Sequence, residues 1–74
     1  MKTNEIEKRT GISKQTIMYY EKEGLLNPKR DENDYRNYDD HDLQVLMLIK
    51  LLRSMNVSID DIKLVINNEL SFQE

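Results

Sequence analysis

Apolar residues recur at helical spacing in four segments, and short polar or glycine-containing stretches separate these segments. The pattern predicts a first helix over residues 4–10, opened by the capping-box pair Asn4 and Glu7. It predicts a second helix over residues 13–23, with Ser13 as a favourable N-cap. Each helix is followed by a glycine, which can take the left-handed conformation that stops a helix: Gly11 and Gly24.

Two further helices are predicted in the second half of the chain. The third begins after Asp39, a favourable N-cap, and ends at Asn56, which tolerates the left-handed conformation. Ser58 and Asp61 form another capping signature and open a fourth helix over residues 59–68, with the last four residues of the chain expected to be frayed.

A non-helical stretch lies between the two helix pairs. Asn27 and Pro28 interrupt the helical pattern, and residues 29–38 have no apolar stripe but a polar centre. This composition predicts a short β-hairpin whose turn contains Asn33 and Asp34, both of which tolerate turn geometry.

The elements together predict a mainly α fold, a winged helix-turn-helix. Residues 1–26 would form the helix-turn-helix, residues 27–38 the two-stranded wing, and residues 39–70 a helix pair, within one domain over residues 1–74. A chain of this length buries only a thin core.

Composition limits the possible functions. The chain carries 14 acidic and 11 basic residues, a formal net charge of −3, which is unusual for a nucleic-acid-binding domain. The first 38 residues hold eight cations and seven anions, whereas the remainder holds three cations and seven anions. The first half is therefore the half expected to face a polyanion. There are no cysteines, the start lacks a signal-peptide pattern, and the longest apolar run is too short for a membrane span, so a cytoplasmic protein is expected.

The helix-turn-helix and the hairpin carry the candidate binding chemistry. The solvent-facing positions of the second helix hold groups that donate to phosphates or touch base edges in a major groove: Lys14, Gln15, Thr16, Met18, Tyr19 and Lys22. The hairpin adds three cations and two aromatic residues: Lys29, Arg30, Tyr35, Arg36 and Tyr38. Taken alone, the first pattern also fits two amphipathic helices in a small bundle, and the second fits a solvated turn.

Six sequence blocks resemble the MerR family of transcription regulators in order and spacing, and the resemblance covers residues 2–68. The blocks are Gly-Ile-Ser at 11–13, Ile-Met-Tyr-Tyr-Glu at 17–21, Gly-Leu at 24–25, Tyr-Arg-Asn-Tyr at 35–38, Leu-Leu-Arg-Ser-Met at 51–55 and Ser-Ile-Asp-Asp-Ile at 58–62.

The resemblance implies a helix-turn-helix, a wing, and a helix pair that carries a second wing-like contact. In similar proteins two such domains, joined as a homodimer by a long C-terminal antiparallel helix, bind a pseudo-palindromic promoter. They distort this double-stranded DNA so that RNA polymerase can engage it, which is a form of indirect readout. The long dimerisation helix and any effector-binding segment are absent after Glu74, so the sequence is either a fragment or a minimal member of the family, and a fragment is expected.

The resemblance also assigns roles to individual residues. It places part of the second helix against DNA: Ser13, Gln15, Thr16 and Tyr19. Tyr20 is expected mainly to pack, with its hydroxyl available to a phosphate. Tyr35 and Arg36 match contacts of the wing, and Arg53 matches a position that grips phosphate. Lys14, Met18, Lys22 and Arg30 complete the expected DNA-binding set.

The sequence departs from the family pattern at three positions. Met18 stands where many relatives have arginine, which removes one cationic contact. Glu7 occupies a position that is usually small in helix-turn-helix pairs, so its side chain is expected to point outward or to open the helix crossing. Asp34 stands where glycine is usual in the wing turn.

Neither an enzyme nor a metal or cofactor site is expected. The single histidine, His41, lies beside Asp39, Asp40 and Asp42 at a predicted helix start, where acids favour the local dipole. No cofactor and no membrane partner are indicated.

Two alternatives remain. One is a small architectural or excisionase-like DNA-binding factor. The other is a protein-interaction module whose docking surface would comprise Met18, Tyr19, Met47 and Met55.

Overall fold

The computed structural model describes residues 1–72, with side chains described for residues 1–67. Its elements, in chain order, are α1 (Thr3–Thr10), α2 (Lys14–Lys22), β1 (Lys29–Arg30), β2 (Arg36–Asn37), α3 (Asp40–Ser54) and α4 (Ile59–Phe72). The predicted mainly α winged helix-turn-helix is therefore confirmed. Within the described residues, no helix is both long enough and apolar enough to cross a membrane.

The turn between α1 and α2 depends on glycine and on a buried hydroxyl. Gly11 has a φ of 72°, and its N–H donates to the Glu7 carbonyl at 2.8 Å, which closes α1. The Thr10 hydroxyl donates to the Ile6 carbonyl and accepts from the Ile12 N–H, so this buried polar group is satisfied. Ser13 then caps α2 by accepting from the Thr16 N–H, as predicted.

The predicted capping box of α1 is wrong. The N-cap is Lys2, which is extended and makes no side-chain capping bond. The Tyr38 N–H donates to the Met1 carbonyl at 2.7 Å, so the first residues run along the wing and the helix has already begun at Thr3. Glu7 instead accepts from the Lys14 N–H at 3.0 Å, where its charge favours the positive end of α2.

The wing is a two-stranded antiparallel hairpin, as predicted. Arg30 pairs with Arg36 in the register, and the Asp31 N–H donates to the Tyr35 carbonyl across the turn. Asp34 has a φ of 66°, so an aspartate occupies the left-handed position at the turn. The Asp31 carboxylate accepts two backbone N–H groups, from Asn33 and Tyr35, which secures the loop.

The last two helices follow the predicted caps. Asp39 and Asp42 form a reciprocal capping box at the start of α3, and Asn56 ends the helical stretch with a φ of 62°. Ser58 accepts from the Asp61 N–H at the start of α4. Helix α4 extends to Phe72, four residues past its expected end, and Gln73 and Glu74 lie outside the described residues.

One apolar core joins both helix pairs and the end of the wing. Its buried members are Ile6, Ile12, Ile17, Tyr20, Leu25, Leu26, Tyr38, Leu46, Ile49, Ile62 and Ile66. Full burial of such side chains stabilises by roughly 1.5–3 kcal/mol each before conformational entropy is counted. Because Tyr38 directly follows β2 and is buried, it anchors the wing to the helical body.

Candidate nucleic-acid interface

Helix α2 presents two distinct sides besides its core face. Ile17 and Tyr20 are buried, and at 3.6 residues per turn the opposite side carries Gln15, Tyr19 and Lys22, all exposed. We call these three residues the outward ridge. Lys14 and Met18, four residues apart, lie on the adjacent side.

An ion pair attaches the wing to α2. The Arg36 Nε donates to the Glu21 carboxylate at 2.8 Å, and the two side chains are only 28% and 22% exposed. Arg36 is predicted from the sequence to contact DNA. The structure shows that its guanidinium is bonded to α2, so Arg36 also holds the hairpin against the helix. Glu21 was not predicted as a site residue, although it belongs to the sequence block at residues 17–21.

A groove of about 310 Å³ lies between the start of α1, helix α2 and the wing. We call it the wing groove. Its lining includes five residues of the predicted DNA-binding set: Lys14, Met18, Arg30, Tyr35 and Arg36. The other four lining residues are Asp34 of the wing turn and three that sequence reasoning missed at the start of α1, Lys2, Thr3 and Asn4. The Lys2 ammonium lies 5.7 Å from the centroid of the Tyr35 ring, within cation–π range.

Three predicted residues have roles within the helix itself. Ser13 and Thr16 are hydrogen-bonded to each other through their hydroxyls at 2.9 Å. Tyr20 is 7% exposed and packs in the core, in agreement with its expected packing role. These side chains support the position of the outward ridge.

Arg53 lies outside the wing groove. It is exposed, and its guanidinium donates to the Val57 carbonyl at 2.8 Å, across the connection between α3 and α4. Three residues earlier on the same helix, the Lys50 ammonium donates to the Thr10 carbonyl at 2.7 Å. This side of α3 therefore contacts the helix-turn-helix near the end of α1.

The end of α2 is joined to α4. The Lys63 ammonium donates to the Glu23 carboxylate at 3.0 Å, and this hydrogen bond raises the pKa of Lys63. Helix α2 is thus held by polar contacts at its start through Glu7, near its end through Glu21, and just beyond its end through Glu23.

The described residues do not assemble metal-binding chemistry. Among them, no group of three or more histidine, cysteine, aspartate or glutamate side chains is arranged to hold a metal ion. The arrangement that remains is a surface of cations, amides and aromatic rings on α2 and the wing.

Residues 1–69 match the sequence profile of a family described as MerR HTH family regulatory protein. The chain belongs to the MerR family. The match covers the helix-turn-helix, the wing and most of the helix pair, so it includes all the residues of the candidate interface.

Similar proteins include regulators of the MerR family. The chain is 38% identical over 64 residues to the heavy metal-dependent transcription regulator 2 of Rhizobium meliloti, covering 85% of this chain and 44% of that protein. Its fold is similar to that of HiNmlR, a MerR family regulator lacking the sensor domain and bound to promoter DNA. That likeness has a TM-score of 0.89 at 38% identity and covers 95% of this chain and 54% of that one.

A second solved structure is equally similar. The transcription regulator PbrR691 from Ralstonia metallidurans CH34, in complex with lead(II), has a TM-score of 0.90 at 33% identity. The likeness covers all of this MerR-family chain and 59% of that one. The chain therefore spans about half the length of the relatives that it matches.

Proposed function

We propose that this MerR-family chain is the DNA-contacting domain of a bacterial transcription regulator that binds double-stranded promoter DNA. The observation that carries the proposal is the ion pair between Glu21 and Arg36. It makes the recognition helix α2 and the wing one continuous surface, and the wing groove lies within that surface.

The outward ridge supplies the side chains for sequence readout. An α-helix fits the major groove of DNA, where an amide such as Gln15 can pair with adenine and an apolar surface can contact the thymine methyl group. Tyr19, 47% exposed, offers both an aromatic face and a hydroxyl. Lys22 completes the ridge with a cation.

The wing and the flanks of α2 supply contacts to the DNA backbone. Tyr35 and Arg30 lie on the exposed hairpin, and Ser13 and Thr16 lie at the positive end of α2. Such contacts fix the register of a protein on the duplex without reading its sequence. Arg53 would contact a phosphate from the side of α3.

The proposed assembly is a homodimer on a pseudo-palindromic operator. A long antiparallel helix would join the two copies, and the DNA would be bent and untwisted so that RNA polymerase can engage the promoter. Bending a site of this size costs on the order of 1–6 kcal/mol, which the protein–DNA contacts must offset. The likeness to HiNmlR, which is bound to promoter DNA, supports promoter DNA as the ligand. A regulator acting on bacterial promoters would work in the cytoplasm, with no enzymatic reaction and no cofactor in this domain.

The proposal is tested by selecting ligands from a library of random-sequence duplexes and measuring affinity by fluorescence anisotropy over a series of salt concentrations. With roughly four to six phosphate contacts, log affinity against log salt is expected to have a slope near −4 to −5. Absence of selection, or binding that does not respond to salt, would contradict DNA binding.

Two exposed residues provide matched variants. Tyr19→Ala removes a ridge residue, whereas Met47→Ala removes a side chain of similar exposure, 45%, on α3. Tyr19→Ala should weaken binding to the selected duplex and Met47→Ala should leave it unchanged. The reverse result would place the DNA-contacting surface on the side of α3 that carries Met47 and not on α2.

A further inference from the structure

Two of the four cations in the wing groove are already paired with carboxylates. Arg36 is bonded to Glu21. Arg30 donates to the Asp34 carbonyl at 2.9 Å, and its Nε lies 3.8 Å from the Asp34 carboxylate. Because both guanidiniums are engaged, they contribute less net charge to the groove than the sequence suggests.

The ammonium groups of the other two cations, Lys2 and Lys14, form no ion pair with a carboxylate within the part of the chain whose side chains are described, although the Lys14 backbone N–H donates to Glu7. They come from the start of α1 and the start of α2, yet both line the same groove. Lys2 is placed there by contact with the Tyr35 ring. The unpaired positive charge of the groove therefore resides on these two lysines.

The backbone adds to this charge. Helix α1 has no side-chain cap, and the N–H groups of Glu5 and Ile6 are already bonded to the Lys2 carbonyl. The Thr3 and Asn4 residues ahead of them line the groove. The first N–H groups of a helix carry the positive end of its dipole and suit an anion.

We propose that the wing groove binds one backbone phosphate of the DNA through Lys2 and Lys14, while Arg30 and Arg36 hold the shape of the groove. This inference rests on the proposed function and assigns a phosphate-binding role to α1, outside the helix-turn-helix ridge and the tip of the wing. In a chain of net charge −3, two unpaired lysines at one groove create a local cationic site that the overall charge conceals.

The test uses the selected duplex in a set of copies, each with a single phosphate replaced by a neutral methylphosphonate. The unaltered protein should lose affinity several-fold when the phosphate that occupies the groove is neutralised. The double variant Lys2→Ala/Lys14→Ala should bind the natural duplex about tenfold more weakly, with a salt slope smaller by about 0.9. It should then show no further loss on the copy with that phosphate neutralised.

Lys8→Ala is the matched control, because Lys8 is an exposed lysine on α1 that does not line the groove. Circular dichroism checks that each variant is folded. If the double variant binds like Lys8→Ala, or still loses affinity on every neutralised copy, the phosphate site is refuted while the binding of the unaltered protein retains the proposed function.

An NMR titration with inorganic phosphate and, separately, with the selected duplex distinguishes a free anion from a DNA phosphate. If inorganic phosphate shifts the amide resonances of Thr3 and Asn4 and the duplex does not, the groove binds a free anion and the inference about DNA is overturned. If the unaltered protein selects no duplex at all, the proposed function itself fails.

Discussion

Replacing Gly11 by alanine tests how the helix-turn-helix is held against α3. Gly11 has a φ of 72°, and a Cβ added there would lie 3.0 Å from the Lys50 ammonium, which donates to the adjacent Thr10 carbonyl. Gly24 has a similar φ of 82°, but a Cβ there would meet no atom within 4 Å. The two glycines therefore share the backbone requirement and differ in the lysine contact.

The magnitudes follow from these contacts. A left-handed alanine costs about 1–2 kcal/mol, and the smaller entropy of the unfolded chain offsets about 0.4–1 kcal/mol of this. Gly24→Ala should therefore lower the free energy of unfolding by about 1 kcal/mol. A hydrogen bond from a charged group is worth about 1.5–3 kcal/mol, but an exposed lysine that is displaced regains water, so Gly11→Ala should cost about 0.5–1.5 kcal/mol more.

Urea unfolding followed by circular dichroism measures both losses. A domain of this size tolerates them, since stability of 0.05–0.15 kcal/mol per residue amounts to roughly 4–11 kcal/mol. In a Lys50→Ala background the extra cost of Gly11→Ala should disappear. Equal losses for the two glycine variants, or an extra cost that persists without Lys50, would refute the argument.

Three other predictions concern α2, the wing and α3. A double-mutant cycle with Glu21→Gln and Arg36→Gln, measured by urea unfolding, should show a coupling free energy of about 1–2 kcal/mol, because both side chains are less than a third exposed. A coupling free energy near zero would exclude a role for this ion pair in holding the wing. Burial raises the pKa of Asp42 above its ordinary 3.8, so the contribution of Asp42 to stability falls as pH rises from about 4. The hydrogen bond from the Asp42 N–H lowers the pKa of Asp39, whose contribution therefore has the opposite sign. Asp42→Asn should gain stability relative to the unaltered chain over that range, and a difference independent of pH would contradict this. Tyr19→Ala should cost roughly 1–3 kcal/mol on the selected duplex and less on random DNA, measured by anisotropy; an equal loss on both would mean that Tyr19 reads no sequence.

Local signals predicted the elements well where the cause is local. Ser13 and Asp39 cap the helices that they were expected to cap, and Gly11, Asp34 and Asn56 take the left-handed conformation. Capping and turn formation depend on bonds within a few residues, so their signatures are visible in the sequence. The capping box expected at α1 failed because the chain ahead of the helix is bonded to Tyr38, a distant residue.

The sequence predicted which residues of α2 are exposed, but not which partners the charged side chains of the candidate site find. The exposed side of α2 follows from helical periodicity, so Gln15, Tyr19 and Lys22 could be placed on one side of the helix from the sequence. Periodicity does not indicate which partner each charged side chain finds. The sequence therefore predicts Arg36 as a contact to DNA and does not indicate that Lys2 lines the groove.

The order of residue types along this chain was enough to determine four helices and a hairpin, and to assign the first two helices to a helix-turn-helix. Each of these features depends on residue spacing within a short segment. Only the tertiary structure decided that Arg36 is bonded to Glu21, that Lys50 contacts the end of α1, and that the Lys2 ammonium lies over the Tyr35 ring of the wing. These contacts join residues 15 to 40 positions apart, and they form only when the shared apolar core fixes how the elements are packed.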